Sequence, residues 1–188
     1  MACFINPEEI EASEYVGIDL IFEYTNGDGQ HVRTNCGQAA AATMLTYHGK
    51  LPPDEHLARD ILADLERRRP PDNLGGIFGT SQRQVRHICR DHGLRLYPIE
   101  SVESIRQHLA CRSPVIVMLG MKGRRVLSFD LPVGHWMVAY GYDRDHIYLT
   151  NWGRMTWDEF QDAWRRFVPR LIGMRMRGLV AVSPSVEL

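Results

Sequence analysis

The sequence predicts an α+β fold. Three observations carry that reading. Residues 34–93 hold three stretches of helical periodicity, each opened by a residue with a capping side chain and closed by Gly or Pro. From Leu94 onward the pattern turns to short apolar runs bounded by turn residues, as strands require. The length of 188 residues supports one domain with a sizeable core. A helical first half followed by a sheet-rich second half implies segregated layers, with a cleft where the halves meet.

Taken in order, residues 1–29 read as irregular or weakly extended, with a short strand at 18–22 before the turn signal Asn26-Gly27-Asp28-Gly29. Asn35 is a good N-cap, and 36–48 then forms a helix that Gly49 and Pro52-Pro53 stop. Its four consecutive alanines, Ala39 to Ala42, permit close packing on most sides and make it central. A second helix covers 54–67 with Leu57, Ile61, Leu62 and Leu65 on one side. Residues 69–76 form a loop. Thr80 or Ser81 caps a third helix that runs to His92, with Val85, Ile88 and Cys89 inward and Gly93 as its stop. Strands follow at 94–99, 115–119, 134–142, 146–152 and 179–182 in an antiparallel sheet. A short helix from Ser101 to Ala110 and an amphipathic helix over 155–167 interrupt them.

Composition narrows the function. Hydrophobic residues make up 44% and charged residues 24%, as in an ordinary globular protein. The net charge of -1 gives no general attraction to nucleic acid or acidic membranes, so neither is expected as a partner. The arginines at 165, 166, 170, 175 and 177 lack interleaved aromatics and read as a solvated face. The start of the chain lacks the basic and apolar regions of a secretory signal, and no apolar run approaches a membrane span, so a cytoplasmic location is expected. The four cysteines, Cys3, Cys36, Cys89 and Cys111, are scattered and read as free thiols. The 8 histidines show no metal-ligand spacing, and Gly75-Gly76-Ile77-Phe78-Gly79 lacks the Lys-Ser/Thr of a phosphate loop. No metal or cofactor is expected.

Chemistry concentrates at four residues. Cys36 stands at the mouth of the alanine-rich helix, with Gln30 six residues upstream. A helix N-terminus and an imidazolium neighbour both favour a thiolate, the form in which a thiol attacks. Gln30 and the Cys36 N–H supply two donors for an oxyanion. His135 begins an apolar strand, and Asn151 follows sixteen residues later. If the turn at 143–145 holds three residues, the two lie on one face, and Asn151 can orient the imidazole. Trp152 then shields that bond. Asp143 is a rival orienting group, but it lies in the turn, away from His135. The remaining cysteines suit packing rather than catalysis.

Gln30, Cys36, His135 and Asn151, in that order and spacing, resemble the papain-like cysteine peptidases. The nearest likeness is to a compact bacterial branch, the bacteriocin-processing, double-glycine-leader type without its transporter. Asn35-Cys36-Gly37-Gln38-Ala39-Ala40, Tyr47-His48-Gly49, Gly79-Thr80-Ser81, Gly93-Leu94, Pro114 to Val117, Gly134-His135-Trp136 and Trp157-Asp158-Glu159-Phe160 follow that branch's landmarks from about residue 30 to 165. Residues 1–29 lie outside the match. The branch usually has Asp where this chain has Asn151, whereas papain has Asn. The resemblance implies one papain-like domain over 1–188, with its nucleophile helix packed on the sheet. It also implies a peptide or protein substrate cleaved through a thioester. A loop around Leu74-Gly75-Gly76 would wall the cleft. An acyltransferase or transglutaminase-like enzyme using the same thioester is an alternative, as is a non-catalytic binding module on the same fold.

Overall fold

The computed structural model describes residues 16–18, 20, 22–25, 34–72, 79–121, 125–126, 129–130, 133–166 and 178–181. By its internal contacts the chain divides into two units. One comprises Met1–Ala2, Asp19–Tyr97 and Val180–Leu188; the other comprises Cys3–Ile18 and Pro98–Leu179.

The first unit carries three helices among its described residues: α1 (Cys36–Tyr47), α2 (Glu55–Arg68) and α3 (Gln82–Asp91). Helix α1 is buried from Cys36 through Thr46, around its whole circumference, as its alanines anticipate. It packs against α2 and α3. It ends where Gly49 takes φ +65, a left-handed conformation that glycine adopts without a Cβ penalty. Asp54 caps α2 by accepting from the His56 N–H, and Ser81 caps α3 by accepting from the Gln84 N–H.

The inward face of α2 departs from the expected stripe. Leu57 is 43% exposed, and the buried set is Ala58, Leu62, Leu65 and Glu66. The helix is turned so that a carboxylate enters the interior, where Asn35 binds it. Helix α3 buries Val85, Ile88 and Cys89, as expected.

The second unit holds α4 (Val102–Ala110), α5 (Trp157–Arg166) and most of a seven-stranded sheet. Its strands are β1 (Val16–Gly17), β2 (Leu96–Ile99), β3 (Val115–Met121), β6 (Val133–Tyr142), β7 (His146–Leu149), β8 (Gly153–Thr156) and β9 (Gly178–Ala181), in the order β2-β9-β3-β6-β7-β8. The division between the units falls within β2 and β9. Strands β4 (Arg125–Val126) and β5 (Phe129–Asp130) form a separate two-stranded ribbon.

Strand β6 organises the sheet. Antiparallel β3 covers one edge from Val133 to Ala139, and β1 pairs with Gly141 and Tyr142. Strand β7 pairs with β6 from Ala139 to Tyr142 through a register shift between Ala139 and Gly141. The buried run Val115 to Gly120 in β3 is the signature of a strand covered on both faces. Helix α5 packs on β3 and seats Trp157, Phe160 and Trp164 in the interior, with ring centroids 6.0 Å and 5.5 Å apart in sequence.

Three expectations need correction. The strand expected at 18–22 falls at Val16–Gly17 instead, although the Ile18 N–H still donates to Tyr140 O. The helix expected from Met155 begins at Trp157, because Gly153–Thr156 continues the sheet as β8. Cys111 is disulfide-bonded rather than a free thiol. Its partner lies outside the described residues.

Candidate active site

Cys36 is the first residue of α1, with 8% of its surface exposed. Two buried polar clamps fix the turn that carries it. Asn35, expected as an N-cap, makes no capping bond; its Nδ2 instead donates to Glu66 Oε1 at 2.7 Å, with both residues buried. One turn on, Gln38 is fully buried. Its Nε2 donates to the Arg69 carbonyl at 2.8 Å, and its Oε1 accepts from Thr80 Oγ1 at 2.7 Å. These bonds tie the start of α1 to the end of α2 and to the residue before the α3 cap. Buried polar groups held this way make a local geometry unique, because any displacement leaves one unpaired.

Gly37 between them is needed for space. A Cβ there would lie 2.5 Å from Thr80 Cβ. The Cys-Gly-Gln triplet is therefore a packing unit as well as the carrier of a thiol.

His135 lies on β6 opposite Leu119 of β3 and is partly buried. Burial lowers its pKa from the ordinary histidine value, so the ring is neutral at pH 7. Asn151 lies two residues past the end of β7, in the turn to β8. Leu149 pairs with Ala139, and the next residue, Thr150, exchanges two bonds with Val138. Thr150 N–H donates to Val138 O at 2.9 Å, and Val138 N–H donates to Thr150 Oγ1 at 2.9 Å. Asn151 and His135 thus both occupy the open end of the β6–β7 hairpin, away from its 143–145 turn. Asn151 has φ +60, a left-handed conformation that asparagine tolerates better than most side chains.

Cys36 belongs to the first unit, and His135 and Asn151 belong to the second. Gln30 and Leu74-Gly75-Gly76 lie outside the described residues.

Asp143 has a structural role of its own. It accepts from the Asp145 and His146 N–H groups at 2.8 and 2.7 Å and from Tyr148 Oη at 2.7 Å, and it meets His146 Nδ1 at 3.1 Å. Burial works against its charge, but the bonds from Tyr148, Asp145 and His146 outweigh it and bring its pKa to about 2. Trp152, expected as a shield, is 53% exposed. Cys89 is fully buried, and burial pushes its thiol pKa up, in keeping with a packing role. Among the described residues no cluster of His, Cys, Asp or Glu is arranged to hold a metal ion.

Glu66 and Thr80 were not anticipated as supports of the Cys36 turn. A signal for Glu66 existed: it lies four residues after Leu62 and so shares its inward face. Thr80 carried a weaker one, because Ser81 beside it was an equally good cap.

A family model places the chain among the papain-like cysteine peptidases. More particularly, it belongs to the Peptidase_C39 like family, whose model matches residues 19–170. Two solved structures share the fold. A protein described as a C39-like peptidase from Bacillus anthracis is 14% identical, with a TM-score of 0.60 over 91% of this chain and 98% of that one. The peptidase domain of Streptococcus ComA, a bi-functional ABC transporter involved in a quorum sensing pathway, is 17% identical, with a TM-score of 0.54 over 79% of this chain and 92% of that one. No curated protein sequence matches the chain.

Proposed function

We propose that the chain, acting as one peptidase domain, hydrolyses peptide bonds with Cys36 as nucleophile, His135 as general base, Asn151 as its orienting partner and Gln30 as an oxyanion donor. The observation that carries this reading is Cys36 itself. In a chain of a cysteine-peptidase family, the thiol opens a buried helix, and its turn is held on both sides by buried hydrogen bonds.

Each role follows from chemistry. Neutral His135 takes the Cys36 proton as the sulfur attacks the scissile carbonyl. The negative charge gathers on the carbonyl oxygen. The Cys36 N–H, at the N-terminal end of α1, receives that charge together with the Gln30 amide. The imidazolium then protonates the leaving amine, which departs and leaves a thioester on Cys36. His135 draws a proton from water, hydroxide attacks the thioester, and the acid product leaves with the thiol restored. Asn151 holds the tautomer in which the other imidazole nitrogen faces the thiol.

The test is acyl-enzyme trapping. Incubation with a peptide p-nitrophenyl ester, followed by digestion and mass measurement, is expected to place the acyl group on the Cys36 peptide. Cys36→Ala should abolish both acylation and peptide cleavage. Acylation of another residue, or undiminished cleavage by Cys36→Ala, would remove Cys36 from the mechanism.

A further inference from the structure

Helix α3 has a second face that the proposed chemistry does not use. Opposite Val85, Ile88 and Cys89, residues Arg83, Arg86, His87 and Arg90 follow the i, i+3, i+4, i+7 spacing of a single helical stripe. With Arg95 and Tyr97 they line a cleft of about 420 Å³. The four arginines and Tyr97 are exposed. None of the arginines forms an ion pair among the described residues, although Arg67, Arg68, Arg69 and Arg166 all do. The nearby Asp91 carboxylate is engaged by Arg69 at 2.7 Å. Desolvation, and then the Arg90, Arg83 and Arg69 charges, lower the His87 pKa from its ordinary value, against an opposing contribution from Asp91.

Four guanidinium groups that form no ion pair among the described residues surround one concavity. We propose that this cleft is a binding site for a carboxylate-rich polypeptide segment, separate from the residues assigned to catalysis. The guanidinium fork matches a carboxylate with two parallel hydrogen bonds. From Arg83 to Arg90 the helix rises roughly 10 Å, so one small anion cannot serve the whole row. An extended peptide presents side chains on one face about every 7 Å, so two or three acidic side chains span it. A nucleic acid fits less well: single-strand sites interleave several aromatics along a longer track, and this cleft offers Tyr97.

Fluorescein-labelled hexaglutamate, titrated with the full-length chain and read by anisotropy, tests the site without reference to turnover. Binding should weaken about tenfold in Arg86→Ala/Arg90→Ala, with unchanged circular dichroism, and should weaken with added salt. The charge-matched Arg165→Ala/Arg166→Ala change on α5 should leave it unaltered. Equal binding by wild type and Arg86→Ala/Arg90→Ala would overturn the proposal. So would tighter binding of an oligothymidylate than of hexaglutamate, which would make the cleft a nucleic-acid site. Displacement of the peptide by an equal concentration of inorganic phosphate would reduce it to a small-anion site and likewise overturn the proposal.

Discussion

Glu66 is a carboxylate with 2% of its surface exposed, and its bond to Asn35 secures the residue before Cys36. Glu66→Leu leaves the buried Asn35 amide without that acceptor. The expected cost is about 1–3 kcal/mol in urea unfolding, whereas Glu66→Gln retains an acceptor and costs less. If Glu66→Leu is as stable as wild type, the clamp contributes nothing. The place of Cys36 at the head of a helix was legible because the alanine run after it and the Gly49 stop bound that helix. Glu66 was less so: its i+4 relation to Leu62 pointed inward, but periodicity locates only the average direction of an apolar stripe. A stripe read from Leu57, Ile61, Leu62 and Leu65 does not reveal that the helix has turned to admit a buried carboxylate.

At the scale of elements, two local structures can be probed separately. Gly37→Ala brings a Cβ to 2.5 Å from Thr80 Cβ, and the Thr80 hydroxyl is bonded to Gln38, so Thr80 cannot easily withdraw. Overpacking costs about 1–3 kcal/mol, while alanine gains up to about 1 kcal/mol in helix propensity. A net loss of stability is expected in thermal unfolding, and Thr80→Gly in the same chain should recover part of it. A Gly37→Ala protein at least as stable as wild type would refute the contact.

The second local structure is the β6–β7 turn, whose centre is Asp143. Its folded pKa of about 2 lies below the ordinary carboxylate value, so the unfolded chain binds its proton first as pH falls. Its contribution is therefore complete above about pH 4 and is lost on acidification toward pH 2. Asp143→Asn should be less stable at pH 7 and should show a flatter acid limb; an unchanged limb would assign the acid sensitivity elsewhere. This turn was readable from Asp143-Arg144-Asp145. Strand β8 was not, since Gly153–Thr156 is short and runs straight into α5, where the Trp157 pattern dominates.

At the scale of the whole molecule, the α+β class and the family were legible because landmarks from Asn35 to Phe160 occur in order, each weak by itself. The family model begins at residue 19, ahead of the landmarks that suggested it. The redox state was not legible: scattered cysteines without a C-x-x-C pair read as free thiols, yet Cys111 is disulfide-bonded. Among the described residues no helix is long and apolar enough to cross a membrane.

The central claim is that His135 activates the Cys36 thiol, and the pH dependence of Cys36 alkylation, located by peptide mass in wild type and in His135→Ala, tests it most directly. Burial lowers the His135 pKa, so the wild-type rate should rise through a midpoint below about pH 6.5, the ordinary histidine value. In His135→Ala that rise should move toward the free-thiol value of about 8.5. A wild-type profile centred near 8.5, unchanged in His135→Ala, would contradict the account.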